Sequence, residues 1–590
     1  MNERTLIDLE FNTIFEQLSL LCLSEEGKNT LLKQSFITDR EILLTKQALV
    51  AALMALFNYD VVKPYSFVSI DGVLDKLEIN EYRLAGLQLY NLGRYLEAAE
   101  VFTNFCRFEI NEELTLSATL FDPFDKALKE LSKELLFTLE EDGSVKPTHP
   151  AIASLVKVLE KERTERQNYS SRFLNENKEL ATSDQPVYRN ERVMLPLKSD
   201  RRSAVAGFIH SHSSSGNTIF MEPYQLVELN NRVMYAQQQI ELEVIKILEQ
   251  LSKKVQNLKE PIYKLVENVA YADSLYARAC YAKLNNSIAS EIANDRSLKL
   301  VEARHPLLKK RVVPISIKID NEIKGVVISG PNAGGKTVTL KTVGLFVLMN
   351  QFFYFVPAKE GTALPLFKSV YTDIGDDQSI ENSLSTFSAH MKNISSILAT
   401  CDKDSLLLFD ELGSATDPIE GSALGRSILE YCIEKNSLTL ITSHHNSLKE
   451  FAYANKELLN ASMEFDSKTH EPTFKIIANL PGSSYALETA KRMNMPNDVL
   501  TRAENLIGSK AVEVSSIIKN LENERKEVAK REEQLKKSEN LIKEKQRELD
   551  LKLLQVKQHE RLVRENQIGS LNKFITDKRS ELENFFTLIL

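Results

Sequence analysis

Turn-forming residues are scarce in this chain. Twenty glycines and seventeen prolines make up about 6% of its 590 residues, where roughly 12% is ordinary usage. Scarcity on that scale argues for long helices and excludes collagen-like, low-complexity and mostly β architectures. Cysteine is sparse too. Cys22, Cys106, Cys280, Cys401 and Cys432 are scattered, odd in number and form no CxxC pair, so neither a disulfide framework nor a structural zinc site is expected. Long apolar runs are missing. The most apolar stretch, Val343 to Val356, contains Asn350 and Gln351 and is too short to span a bilayer. Residues 1–12 carry acids and no apolar core, so no secretory signal is expected. Together these absences predict a chain of the reducing cytoplasm with no membrane partner. An excess of positive charge is also lacking, since the formal net charge is −8. A globally basic nucleic-acid coat is therefore excluded. Local cationic patches stay open, because phosphate binding depends on the patch rather than on the total.

What is present is the composition of a globular protein, 43% hydrophobic and 26% charged. The length suggests roughly four domains or sub-domains. Residues 1 to about 145 read as helices, with Leu9, Ile14, Phe15, Leu18 and Leu21, and later Ala85, Leu89, Leu92 and Leu96, at helical spacing. A charged helix is expected from His149 to about Leu180. Residues 187–223 then change texture, with short β-like runs at Val193–Leu197, Val205–His210 and Thr218–Met221. A long helical pattern resumes from Tyr224 to about Leu284. From about Leu298 to Arg502, strand-like runs (Val326–Ser329, Leu406–Phe409, Leu438–Thr442) alternate with helical ones, the signature of a parallel sheet. In 511–590, Leu521, Val528, Leu535, Ile542, Leu549, Val556 and Val563 recur every seven residues. The companion position is mostly polar (Arg525, Glu532, Glu539, Gln546). That pattern suits a long helix with a thin coiled-coil seam, or a solvated helix lying on another domain.

The strongest chemical signal is Gly330-Pro331-Asn332-Ala333-Gly334-Gly335-Lys336-Thr337, a match to GxxxxGK[ST] between a strand-like GVVIS and a helical TVTLKTVGLFVLM. Glycines let backbone N–H groups wrap phosphates, and a helix N-terminus adds partial positive charge. Lys336 would reach the β- and γ-phosphates of ATP, Thr337 would bind Mg²⁺, and Val338 completes the ATP-binding segment. Leu406-Leu-Leu-Phe-Asp410-Glu411 follows. There Asp410 would hold the Mg²⁺ and Glu411 would polarise an attacking water. The acidic pair, rather than a lone Asp, points to the ABC-type branch of phosphate-loop ATPases. After a further strand, His444 or His445 could reach the γ-phosphate or the water, and His444 fits the motif alignment better. Between these elements, Asn382-Ser-Leu-Ser385-Thr386-Phe387 reads as a helix start with Ser385 as N-cap. In an ABC-type arrangement Ser385 and Thr386 would bind the γ-phosphate held by a second chain.

Gly330–Thr337, TDIGDDQSIENSLSTFSAHM (372–391), LLLFDELGSATDP (406–418), ITSHHNSLK (441–449) and LPGSSYALETAKRMNMP (480–496) resemble the ATPase domain of the MutS family. Arg304-His305-Pro306 and residues 192–231 resemble its recombination-suppressor branch, MutS-II. The resemblance covers most of the chain. It implies a mixed α and α/β fold: a helical core and lever at 1–150, a clamp arm with a small β module at 151–225, a returning lever helix at 226–295, an ABC-type ATPase domain at 296–510 and a charged helix or coiled coil at 511–590. It also implies a homodimer with two shared ATP sites. The expected target is branched DNA, with suppression of homologous recombination as the outcome, and a second role on stalled ribosomes through ribosomal RNA. In the clamp, Lys198, Arg201 and Arg202, with His210 and His212 nearby, would meet the nucleic-acid backbone without reading bases.

Two departures from the family shape the expectation. The mismatch-reading domain with its Phe-x-Glu wedge does not precede the core helices, and Phe220-Met-Glu222 reads as a chance match. The Smr nuclease domain in which the branch usually ends is not visible by Leu590, so no nuclease activity is expected of these residues. A mismatch-repair sensor and an SMC-like tethering ATPase are the competing readings.

Overall fold

The structure is a computed structural model. It describes residues 2–79, 81–110, 113–308, 312–330, 334–375, 383–414, 416–465, 472–478, 490, 495–507 and parts of 531–584. The chain divides into two compact units, residues 1–466 with 471–478, and residues 467–470 with 479–590.

The first unit opens with α1 (Glu3–Asp8), α2 (Phe11–Ser19), α3 (Glu25–Lys33), α4 (Arg40–Leu56), α5 (Leu74–Leu77), α6 (Gly86–Cys106) and α7 (Lys126–Thr138), with a short hairpin of β1 (Glu109–Ile110) and β2 (Glu113–Leu114) before α7. Polar side chains start several of these helices: Asn2, Ser24, Asp39 and Asp125 each accept a backbone N–H from the first turn. Leu53, Leu92, Leu96, Phe102 and Leu135 of α4, α6 and α7 form one helical core.

The arms are α8 (Pro150–Glu176), α9 (Tyr224–Asn257) and α10 (Lys259–Leu284). The expected single helix from Tyr224 to Leu284 is broken at Leu258. Pro261 explains the break. It lacks an N–H, and its ring would collide with the Asn257 carbonyl in a continuous helix, so it is accommodated in the first turn of α10. Between α8 and α9 lies an antiparallel sheet of β3 (Val187–Arg189), β4 (Arg192–Lys198), β5 (Gly207–His212) and β6 (Thr218–Pro223), in the order β3-β4-β6-β5. Its small core is Leu174, Val193, Leu195, Leu197, Ile219, Met221 and Leu226.

The α/β part contains β7 (Glu291–Ile292), β8 (Leu298–Ala303), β9 (Ile315–Ile319), β10 (Gly325–Ser329), α11 (Lys336–Phe352), β11 (Ala363–Leu364), β12 (Ser369–Asp373), α12 (Ser383–Thr400), β13 (Ser405–Phe409), α13 (Pro418–Glu434), β14 (Leu438–Thr442), α14 (Asn446–Ala454), β15 (Leu458–Phe465) and β16 (Pro472–Ala478). The main sheet runs β12-β13-β14-β10-β15-β16. The first five strands are parallel and β16 pairs antiparallel with β15. The expected parallel sheet thus carries one antiparallel edge. β10, β13 and β14 are buried along their whole length, as apolar runs covered on both faces must be. A second sheet, β7-β11-β8-β9, takes three strands from before β10 and one from after α11. Leu9, just after α1, and Phe11, Ile14 and Leu18 of α2 join Val343, Phe346 and Val347 of α11 in the core of this α/β part.

In the second unit, α15 (Asn497–Ile507) precedes a segment whose described residues between 531 and 584 are helical and exposed. Leu535, Ile542, Leu549 and Val556 of the sevenfold repeat are exposed. Leu521, Val528 and Val563 lie outside the described residues. The five cysteines are free thiols. Among the described residues no helix is long and apolar enough to cross a membrane.

Candidate functional site

The C-terminal ends of β10, β13 and β14 lie side by side in the sheet. In a parallel α/β sheet this edge is where ligands bind, because helix N-termini and strand ends converge there. The loop after β10 leads into α11, whose first residue is Lys336. Gly330 and Gly335 adopt φ of +138° and +90°, conformations costly for any residue with a Cβ. Pro331, Asn332 and Ala333 lie outside the described residues. Gly334 and Lys336 are buried, Thr337 half-buried and Val338 exposed. Lys336 donates from Nζ to the Gly330 carbonyl at 2.8 Å. Burial pushes the Lys336 ammonium below its ordinary pKa, and Glu411 and Asp410 pull it back up.

Asp410 follows β13, and its two carboxylate oxygens are held by hydroxyls from two elements. Thr337 of α11 donates to Oδ2 at 2.6 Å, and Thr442 of β14 donates to Oδ1. Threonine and carboxylate oxygens converging in this way are the hard donors Mg²⁺ takes, so the residues fit that ion. Glu411 sits at φ +47°, the left-handed region that costs a non-glycine residue roughly 1–2 kcal/mol. Its N–H donates to Thr442 Oγ1 at 2.7 Å, and the Leu412 N–H donates to the Thr442 carbonyl at 3.0 Å.

The two histidines after β14 face different neighbours. His445 places Nε2 3.2 Å from the Gly413 carbonyl. His444 is largely exposed, yet partial desolvation of its ring, with His445 beside it, moves its pKa down while Glu411 opposes. Lys336 also acts on His444, so His444 belongs to the electrostatic neighbourhood of Lys336 and Glu411.

Ser385 lies within the first turn of α12 as described, not ahead of it. The expected N-cap role is therefore corrected, because the helical backbone already begins at Ser383. The Ser385 and Thr386 side chains lie outside the described residues.

Two features escaped the reading of the sequence. Thr442 is one; the other is Asp373, the last residue of β12. Its carboxylate accepts from Asn393 Nδ2 at 2.9 Å and Arg4 Nη2 at 3.3 Å, and lies 2.7 Å from His390 Nδ1. It thereby ties α12 and α1 to the strand beside Asp410. The only hint in the sequence is a carboxylate at a strand end.

In the β module, Arg201 and Arg202 lie exposed on a 3-10 turn over Ser199–Ala204, and Lys198 ends β4 half-buried. His210 is engaged within the fold, 2.6 Å from Glu222 Oε2. Glu222 is buried and also binds Arg192 and Asn230. Phe220-Met-Glu222 is accordingly part of the module's interior wiring, with the Arg189 guanidinium 4.3 Å over the Phe220 ring.

Residues 326–510 match the family profile of MutS domain V. The Endonuclease MutS2 of Thermotoga neapolitana is 37% identical over 438 residues, covering 74% of this chain and 57% of the relative. That of Finegoldia magna is 32% identical over 92% of this chain and 70% of the relative. That of Halothermothrix orenii is 31% identical over 98% and 73%. The chain thus spans between 57% and 73% of the length of these curated relatives. With identity at this level over so much of the sequence, the chain belongs to the MutS2 branch of the MutS family.

Proposed function

We propose that this chain is an ATP-hydrolysing nucleic-acid clamp that works as a homodimer. The observation carrying the proposal is the meeting of Lys336, Thr337 and Asp410 at one sheet edge, with Thr337 2.6 Å from Asp410. Lys336 and the loop N–H groups bind the phosphates of ATP. Thr337 and Asp410 hold Mg²⁺, which when bound neutralises charge on the phosphoryl oxygens. Glu411 orients and deprotonates the attacking water. His444 hydrogen-bonds a phosphoryl oxygen or the water. Ser385 and Thr386 of α12 serve the ATP site of the partner chain, through the helix N-terminus.

The clamp supplies Lys198, Arg201 and Arg202 to the nucleic-acid backbone. The target is branched DNA, with suppression of homologous recombination as the outcome. Stalled ribosomes are a second target, because ribosomal RNA presents the same phosphate chemistry. The compartment is the cytoplasm, at the nucleoid or the ribosome. The relatives carry the name endonuclease; no nuclease step belongs to this proposal.

The test is ATP turnover alone and with Holliday junctions, homoduplex, mismatched duplex and ribosomes. Stimulation by junctions or ribosomes is expected. Stimulation by mismatches alone would favour a repair sensor, and indifference to every nucleic acid would favour a tethering ATPase. A mixture of Ser385→Arg and Lys336→Ala subunits should regain one active site per dimer. Stable mixed dimers without activity would place the whole site in one chain.

A further inference from the structure

We infer that Thr442 is a positioning residue that holds Asp410 and Glu411 in their working geometry, an inference that rests on the hydrolytic reading above. Thr442 is fully buried at the end of β14. A hydroxyl offers one donor and two acceptor sites, and here both functions are used on adjacent acidic residues. The O–H donates to Asp410 Oδ1, and the oxygen accepts the Glu411 N–H at 2.7 Å. The Thr442 carbonyl takes the next N–H, that of Leu412, at 3.0 Å.

Two consequences follow for the site. The Asp410 carboxylate is pinned at both oxygens, by Thr337 on one side and Thr442 on the other. Its plane is thereby set relative to Thr337 of α11, with which it would share a Mg²⁺ ion. Glu411 is kept at φ +47°, a conformation that persists only where surrounding bonds over-determine it. The Glu411 carbonyl is fixed as well, accepting the Ser414 N–H at 3.0 Å. Without the Thr442 hydroxyl, the Glu411 N–H and Asp410 Oδ1 both lose a buried partner, and the strained residue is released from one of its restraints.

A plain structural role is the competing explanation, since a β-branched residue suits a central strand. Thr442→Val separates the two. It keeps the shape and branching but removes the hydroxyl, whereas Thr442→Ser keeps the hydroxyl and removes a methyl. Thr442→Val should lower kcat for ATP by about 10²-fold, the scale of a small misplacement at a reacting centre. It should leave KM for ATP within about threefold and raise the Mg²⁺ concentration needed for half-maximal activity. Thr442→Ser should keep kcat within about fivefold of wild type. Where valine prevents folding, Thr442→Cys tests the same point, because a thiol donates and accepts weakly in nearly the same space. A wild-type kcat in Thr442→Val, or losses in the Val and Ser variants that merely follow their loss of Tm, would overturn the inference. Wild-type protein that turns over no ATP would overturn the hydrolytic reading itself.

Discussion

Lys336 and Arg278 are both almost wholly buried, at 2% and 1% exposure, and stand at opposite ends of α11. Arg278 of α10 meets the C-terminal end. It donates to the Phe352 carbonyl at 2.8 Å, to the Ser274 carbonyl at 2.8 Å and to Gln34 Oε1 at 2.7 Å. Its guanidinium also lies 5.1 Å and 4.6 Å from the Phe352 and Tyr354 ring centres. A cation there complements the negative end of the helix dipole. Lys336 occupies the opposite end, where the dipole disfavours a cation. Beside it Glu411 holds a left-handed backbone, and burial works against the charge of Lys336 as it does against that of Arg278. One helix thus carries one buried cation that its dipole favours and one that its dipole opposes. The second arrangement suits an anionic ligand, and stability given up at a site is a sign of function.

The sharpest way to break this comparison is to remove each cation in turn. Lys336→Ala should cost about 2–5 kcal/mol of nucleotide binding, the range for truncating one partner of a buried charged contact. A fluorescent ATP analogue measures it. The apparent Tm of the same variant should stay level or rise, because a burial penalty disappears. Glu411→Gln should differ from both, keeping ATP binding but losing roughly 10²–10⁴-fold in hydrolysis, as expected for loss of a general base. A wild-type rate in Glu411→Gln would remove it from the role of acting on water.

Arg278→Met should do the reverse of Lys336→Ala. It keeps apolar bulk against Phe352 and Tyr354 but leaves the Phe352 carbonyl without its buried donor, at about 1–3 kcal/mol. The apparent Tm should drop by several degrees, while nucleotide affinity of the folded protein stays within about threefold. Equal losses of Tm in Lys336→Ala and Arg278→Met would erase the distinction between the two ends of the helix.

The clamp extends the contrast to exposed cations. Arg201 and Arg202 lie in solvent, so their loss should leave Tm unchanged. Each phosphate contact on duplex DNA contributes about −0.9 to the slope of log K against log salt. Replacing Lys198, Arg201 and Arg202 by Ala should flatten that slope by up to ~2–3 per clamp, with similar loss for every sequence. An unchanged slope would move the phosphate contacts elsewhere. The basic stretch Arg561–Arg579 is the next candidate, and its residues 561–570 lie outside the described residues.

What the sequence made legible was what lies contiguous in it. Glycines, Lys336 and Thr337 form one run, and Asp410 with Glu411 ends an apolar strand whose burial the residues themselves dictate. The three strand runs of the sheet edge are likewise local patterns. Thr442, Asp373 and Arg278 are different. Each acts across elements that only the sheet order or helix packing brings together: β14 beside β13, β12 beside β13, and α10 against the end of α11. No spacing along the chain encodes those adjacencies. The break at Leu258 is an intermediate case, since Pro261 was there to be read but the helical periodicity on either side outweighed it. The antiparallel pairing of β16 with β15 is likewise a matter of sheet order.

The smallest expected effect is one of slope, and it concerns the other buried charge of α10. Asp273 accepts the Leu23 N–H at 2.9 Å, the Ser24 N–H at 2.8 Å and the Ser24 hydroxyl at 2.7 Å. Those donors favour the carboxylate, yet burial outweighs them and Glu26 adds to the upward push, so its pKa rises from 3.8 to about 6. The folded chain therefore holds this proton to higher pH than the unfolded chain does. The group's contribution to stability is complete below about pH 4 and is lost as pH rises through about 6. Asp273→Asn removes that dependence. Its apparent Tm relative to wild type should climb between about pH 4 and 6.5 and then level off. Nucleotide affinity of the variant should match that of wild type across the same range, because the partners of Asp273 are Leu23 and Ser24, not residues of the ATP site. A Tm difference that is flat with pH would mean that the three donors hold Asp273 ionised in the folded chain against the cost of its burial.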